Sequence, residues 1–283
     1  MKRWFDKYLE ILFPRKCPVC DDIIATGGGR NSQKSDDIIA AGSGRNSPER
    51  EEIIAAGGGR NSPEREDNIT LQSGLICPEC IRKIHFVREP ACKKCGKEIF
   101  DERVEYCSDC VKHRHDYEWG VPLMNYDAVG RKIIADFKYH NRRDNADFLA
   151  EEIYKRAYGK IRLMGADALV PVPMYFLKKR IRGFNQSEVL AKRLGTLLNI
   201  PVNDKILIRN RNTSPQKNLE QTQRINNLKK AFKANDIPHS IKSVILVDDI
   251  YTTGSTVNAC ARVLKEAGVE KVYFICACIG RNT

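Results

Sequence analysis

Two groups of residues in this 283-residue sequence have types and spacings suited to chemistry. In the first, Asp248 and Asp249 stand side by side and Thr252-Thr253-Gly254-Ser255-Thr256 follows directly. Two carboxylates repel a phosphate, but they accept hydrogen bonds well from the vicinal hydroxyls of a sugar. The segment beyond them offers hydroxyls, backbone N–H groups and the start of an apolar-periodic helix, whose dipole favours an anion. Side by side, the two halves suit a ribose 5-phosphate. A Walker A loop is excluded, because Gly254-Ser255-Thr256 lacks the lysine and the four-residue spacer. The plain alternative is a buried strand followed by a capped helix, and it leaves the aspartate pair beside a Thr/Gly/Ser loop unexplained.

The second group is four C-x-x-C pairs: Cys17/Cys20, Cys77/Cys80, Cys92/Cys95 and Cys107/Cys110. Each pair can bend two thiolates onto one tetrahedral cation, so four pairs complete two four-cysteine zinc sites. Disulfides are the alternative, and a reducing compartment argues against them. A redox role fits poorly, since four copies stand outside any thioredoxin-like βαβ pattern. In Cys92-Lys93-Lys94-Cys95-Gly96 the glycine permits the left-handed turn under a metal. The short separation of Cys95 from Cys107 pairs these two motifs. Cys17/Cys20 with Cys77/Cys80 must close a longer loop, which is tolerable because loop entropy grows only logarithmically; an interleaved pairing stays open. His113 and His115 read as solvated, since eight thiolates are already at hand.

These residues need elements to hold them. Val244-Ile245-Leu246-Val247 reads as a strand buried on both faces, and Val257, Cys260, Ala261 and Leu264 as a helix from near Thr256. Ile133, Ile134 and Phe137 precede a helix carrying Phe148, Leu149 and Ile153. Asp167 to Val170 is a second buried strand, with Pro171 and Pro173 at its end. Lys178 to Gln186 reads as a loop whose four cations suit a pyrophosphate and its magnesium; a solvated basic turn is the plain reading. Leu190, Ala191, Leu194, Leu197 and Leu198 form a helical stripe. Lys205 to Ile208 is a further strand, and Arg209 to Arg224 a polar segment that either closes over a ligand or is ordinary surface. Val272 to Cys278 is the last strand, its Cys276 and Cys278, with Cys260, read as small buried apolar residues.

Trp4, Phe5, Tyr8, Leu9 and Leu12 predict a short amphipathic helix before Pro14, packed on the protein rather than on a membrane. Three fifteen-residue repeats follow, Asp21–Ser35, Asp36–Arg50 and Glu51–Arg65. Each carries too little apolar surface for a core, which predicts a disordered insertion in a surface loop, with a stacked solenoid as the minor alternative. Lys plus Arg outnumber Asp plus Glu by 48 to 36, and the excess lies after residue 120. No apolar run reaches the roughly 18 residues of a membrane span, and Asp6, Lys7 and Glu10 interrupt any signal-peptide core. A cytoplasmic protein is expected, with two domains at residues 1–120 and 121–283 and the insertion at 21–66.

The thirteen residues Val244 to Thr256 resemble the phosphoribosyl pyrophosphate (PRPP) motif of type I phosphoribosyltransferases. Leu12-Phe13-Pro14, the four cysteine pairs, Val170-Pro171-Val172-Pro173, Arg182-Gly183-Phe184-Asn185-Gln186 and that motif, in this order, resemble the ComF family, related to the ComFC competence proteins. The resemblance implies an α/β fold: a doubly wound parallel-sheet phosphoribosyltransferase domain preceded by a small double zinc ribbon. It implies that Asp248 and Asp249 hold the ribose hydroxyls, Thr252, Thr253, Gly254, Ser255 and Thr256 the 5-phosphate, and Lys179 and Arg180 the pyrophosphate, with Mg2+ bridging pyrophosphate and ribose. Enzymes of that type acting on 6-oxopurines carry an aspartate where this chain has Thr252, so such an acceptor is disfavoured.

Two functions follow. One is a magnesium-dependent transferase of phosphoribosyl groups to a nitrogenous acceptor. The other is a non-catalytic PRPP sensor that binds single-stranded DNA in DNA uptake, with competence-machinery proteins as partners, although alternating aromatic and basic residues for base stacking are lacking. A third reading makes the ribbon a folding clamp or docking surface only.

Overall fold

The computed structural model describes residues 15–24, 74–140, 142–210 and 231–280, which belong to one compact unit. The expected helix over residues 4–12, the repeats beyond Ile24 and the segment Arg211–Arg224 lie outside the described residues. In chain order the elements are α1 (Pro78–Ile81), α2 (Ser108–Lys112), β1 (Gly120–Asn125), α3 (Ala128–Tyr139), α4 (Asn145–Arg162), β2 (Ala168–Pro171), α5 (Phe176–Arg182), α6 (Gln186–Leu198), β3 (Leu207–Arg209), β4 (Phe232–Ala234), β5 (Ser243–Tyr251), α7 (Ser255–Glu266) and β6 (Lys271–Ile279).

Alternate residues of a strand face opposite sides, so four consecutive apolar residues demand cover on both. In β5, Ile245 and Val247 join Leu169, Ile275 and the apolar faces of α3, α4 and α6 in one core. Val244 and Leu246 join Val170, Val272, Phe274 and α7 in a second core on the other side. The sheet runs β1-β6-β5-β2 with every pairing parallel. The two central strands, β5 and β6, therefore end together on one edge, with helices on both faces.

β1 is the strand that pattern reading passed over, because Pro122 interrupts it. A proline cannot donate to a ladder and is tolerated at an edge, which is where β1 lies. Residues of the cysteine-rich segment cover that edge: the Val87 N–H donates to Leu123 O at 3.0 Å and the Asn125 N–H to His85 O at 2.8 Å. Phe86 bridges Met124 in antiparallel sense. Covering an edge with another segment removes a site for unwanted pairing.

The expected loop over Lys178–Gln186 is instead mostly helix. Leu177 to Arg182 are good helix formers with no breaker among them, and α5 stops where Gly183 takes φ 79°. Only Gly183, Phe184 and Asn185 separate it from α6. The strand expected at 205–208 is β3, paired antiparallel with β4 outside the main sheet. Among the described residues no helix is long and apolar enough to cross a membrane.

Candidate functional site

The eight paired cysteines meet as two tetrads, Cys17/Cys20/Cys77/Cys80 and Cys92/Cys95/Cys107/Cys110, with the sulfurs of each within 4.8 Å of one another. The pairing is consecutive, not interleaved. Four sulfurs at about 2.3 Å from a tetrahedral zinc lie about 3.8 Å apart. Here Cys17 and Cys20 each stand 3.8 Å from Cys77, and Cys95 3.6 Å from Cys107. A disulfide would need about 2.05 Å, so both sets fit a structural zinc. In the second tetrad, hydrogen bonds among the four thiols push Cys92 and Cys107 down, Cys107 to about 6, and push Cys95 and Cys110 up, so protons are shared unequally within one tightly packed set.

Each tetrad uses the same two parts. A knuckle supplies one pair: the Gly96 N–H donates to Cys92 O at 2.8 Å and the Asp21 N–H to Cys17 O at 3.1 Å, with φ +75° at Gly96 and 67° at Asp21. The other pair comes from a short helix whose N-cap is itself a cysteine, Cys77 before α1 and Cys107 before α2. His115 stacks on the Tyr117 ring with centroids 4.9 Å apart and joins neither tetrad.

At the C-terminal edge of the sheet, Asp248 is buried, and its Oδ1 accepts from Ser187 Oγ at 3.1 Å and from the Asp249 N–H at 2.9 Å. Burial, reinforced by the charge of Asp249, pushes the Asp248 carboxyl up to about 7. Asp249 is ion-paired with Lys138 of α3. Ser187 is placed by Asn185, the N-cap of α6, whose Oδ1 accepts from the Ser187 N–H and whose Nδ2 donates to Val172 O at 3.0 Å. Thus α3, α6 and β2 all bear on the two aspartates.

Thr252 and Thr253 are exposed, Gly254 is buried at φ 74° as the N-cap of α7, and Ser255 and Thr256 open that helix. Thr253 Oγ1 lies 2.8 Å from Ser255 Oγ, and the Asn258 N–H donates to Gly254 O at 2.8 Å. Hydroxyls and the first-turn amides of α7 therefore gather beside the aspartates, a geometry that accepts an anion.

The cations sort differently from expectation. Lys179 is ion-paired with Glu188 at 2.8 Å, and Arg180 is exposed. Lys178 and Arg182, four residues apart, share a face of α5. Burial, then the charges of Arg209 and Arg182, hold the Lys178 ammonium below its usual range, so the three cations are crowded together. The charge of Asp248 acts on Arg209. Arg182 also stacks on Tyr139, its centre 4.9 Å from the ring, beside the paired Lys138. Sequence reasoning missed Lys138, Ser187 and Arg209. The one local signal was the position of Ser187 next to Arg182-Gly183-Phe184-Asn185-Gln186.

The architecture defines a class: a cysteine-rich ribbon joined to a parallel α/β sheet bearing an acidic pair followed by a hydroxyl-rich loop. Residues 67–111 match the double zinc ribbon domain and residues 182–283 the phosphoribosyl transferase domain. Competence protein F of Haemophilus influenzae is 35% identical over 147 residues, 50% of this chain and 63% of that protein. DNA utilization protein YhgH of Escherichia coli is 30% identical over 161 residues, 56% of this chain and 70% of that protein. A purine phosphoribosyltransferase from Pyrococcus horikoshii superposes on 48% of this chain and 84% of its own with TM-score 0.30 and 15% identity; the fold assignment rests on the domain match and the sheet instead. The chain belongs to the ComF family. The match to the first of these relatives spans just under two thirds of that relative's length. Cys17 and Cys20 lie outside the ribbon match, and the folded chain nonetheless brings them to Cys77 and Cys80.

Proposed function

We infer that this protein binds PRPP with Mg2+ at the C-terminal edge of its sheet and transfers the phosphoribosyl group to a nitrogenous acceptor, releasing pyrophosphate. The observation that carries this reading is the acidic pair Asp248/Asp249 set directly against the hydroxyl loop and first turn of α7. Asp248 and Asp249 would accept the ribose hydroxyls, and Thr252 to Thr256 would hold the 5-phosphate. For the pyrophosphate, Lys178 and Arg182 on one face of α5, with Arg209, are better placed than Lys179, whose ammonium is tied to the Glu188 carboxylate that also pairs with Lys192.

The donor set suits magnesium shared with the ligand: two carboxylates, one already paired with Lys138, are too few for a dedicated oxygen cage. Bound there, Mg2+ would neutralise charge on the departing pyrophosphate. The chain's own part is to fix the sugar, screen the leaving group with cations and keep water from the ring carbon as positive charge builds on it. Lys138 pairs with Asp249 and aims its carboxylate before ligand arrives.

The relatives' names favour a second reading, a PRPP-sensing protein of DNA uptake that binds single-stranded DNA without turnover and works with competence-machinery proteins. Either role suits the cytoplasm, where thiols stay reduced and hold zinc. The test is pyrophosphate release from Mg·PRPP across a panel of nitrogenous bases, run beside single-stranded DNA binding at several salt concentrations. Base-dependent release supports the transferase. PRPP binding without release for any base, together with a steep salt slope for DNA, supports the sensor.

A further inference from the structure

The geometry points to Tyr117, just beyond the second cysteine tetrad, as a positioning residue for the phosphate loop, acting through its hydroxyl pair with Tyr251. Tyr117 Oη lies 2.7 Å from Tyr251 Oη, and both side chains are buried. The pair is held from outside: the Tyr251 ring stacks on Phe274 with centroids 4.8 Å apart, and Tyr117 meets Phe274 edge-on at 4.9 Å. Tyr251 in turn supports the loop. A Cβ added to Gly254 would lie 2.3 Å from Tyr251 Oη, so the Gly254 backbone rests on that hydroxyl. Contact thus runs from Tyr117 through Tyr251 to the N-cap of α7 without a gap.

The chain on either side of Tyr117 is tied to the same helix. The Asp116 N–H donates to Asn258 Oδ1 at 2.5 Å, and the Asp116 carboxylate pairs with Arg262 at 2.8 Å. Glu118 pairs with Lys265 at 2.6 Å. Residues 258, 262 and 265 lie on one face of α7 at helical spacing. The Glu118 N–H also donates to Val272 O at 2.7 Å, on the same strand, β6, that carries Phe274. On the other side, the Gly120 N–H donates to Lys94 O at 3.0 Å, inside the second knuckle. Segment 116–120 therefore joins the second cysteine centre to the helix and strand that flank the loop. A hydroxyl pair buried among aromatic rings has no water to substitute for a missing partner, so removing one hydroxyl leaves the other unsatisfied.

The test uses the full chain, zinc-loaded, as Tyr117→Phe, Tyr251→Phe and the double variant; each substitution keeps the ring and its stacking. Amide hydrogen exchange over residues 252–256 is read without ligand, and Mg·PRPP affinity is read separately. Tyr117→Phe should speed exchange in 252–256 about five- to tenfold, leave α4 and β2 unchanged and weaken Mg·PRPP by a similar factor. Tyr251→Phe should act alike, and the double variant should be no worse than the worse single one, as for groups acting as a unit. Unchanged exchange in the loop, or faster exchange spread evenly over the sheet, would overturn the inference, and either single variant suffices if the other does not fold. The affinity arm rests on the proposed PRPP site and the exchange arm does not. A wild-type protein that binds no PRPP, with a loop that still responds to Tyr117→Phe, would defeat the proposed function and leave the positioning role standing.

Discussion

The two cysteine centres are built alike and embedded differently. Each combines a knuckle with a helix capped by cysteine, and each places one residue in the left-handed region just after its knuckle. At the second centre that residue is Gly96, where an added Cβ would lie 2.3 Å from Pro122 of β1. At the first it is Asp21, which is paid for by ion pairs with Lys132 at 2.7 Å and Arg142 at 2.8 Å. Cys95 and Cys107 are 12 residues apart in sequence, whereas Cys20 and Cys77 are 57 apart with the repeats between them. One centre shares its core with Tyr117, Tyr251 and Phe274; the other packs Val19, Ile76 and Ile81 on the edge of the opposite core and ties Asp21 to Lys132 of α3. One motif used twice contributes its cysteines to the sheet's core in one place and lies at the margin of the core, joined by surface ion pairs, in the other.

That contrast predicts unequal losses. The largest should come from Cys92→Ser, which removes the metal from a core: either no folded protein or a Tm lower by more than about 10 °C in a thermal melt. Cys17→Ser should lower Tm by less than half as much and leave Mg·PRPP affinity within about twofold, since among the described residues the first centre's ion pairs go to Lys132 and Arg142 rather than to the loop. Equal losses would break the comparison. Gly96→Ala comes next, at about 2–4 kcal/mol in denaturant unfolding, from strain at positive φ together with overlap on Pro122.

A pH series separates the ligand site from both centres. The folded carboxyl of Asp248 is raised to about 7 from an ordinary value of 3.8, so its contribution to ligand-free stability is present below about pH 4 and lost as pH rises through 7. At the proposed phosphoribosyl site Asp248 would act in its ionised form, so Mg·PRPP affinity should run the other way and rise about tenfold from pH 6 to pH 8 by calorimetry. Asp248→Asn should remove that slope. The smallest effect should be Asp21→Gly, within about 1 kcal/mol by denaturant unfolding, because relief of positive φ offsets two exposed ion pairs.

What could be read in advance was whatever lies contiguous in sequence. Cys92 to Gly96 and Asp248 to Thr256 lie in single short runs, so spacing alone singled them out; the structure brings the cysteines into a tetrad and the aspartates beside the start of α7. The apolar run 244–247 likewise announced a strand covered on both faces. Lys138 and Arg209 could not be found this way. Each sits in an element defined by its apolar periodicity, and only the fold carries the charge to Asp249 or Asp248. Lys179 was chosen as one of four cations in a supposed loop; the helical turn of α5 gives it to Glu188 and sends Lys178 and Arg182 the other way. Tyr117 left no mark at all, since its partner is 134 residues away in sequence.

The measurement that bears most directly on the central claim is calorimetric titration of Mg·PRPP into the zinc-loaded protein beside the Asp248→Ala/Asp249→Ala variant. The account predicts binding that the variant loses by more than about 100-fold, with the variant's thermal melt still cooperative. A zinc-loaded, folded wild-type protein that takes up no PRPP, or a variant that binds it equally well, would contradict the assignment of the acidic pair and its loop as a phosphoribosyl site.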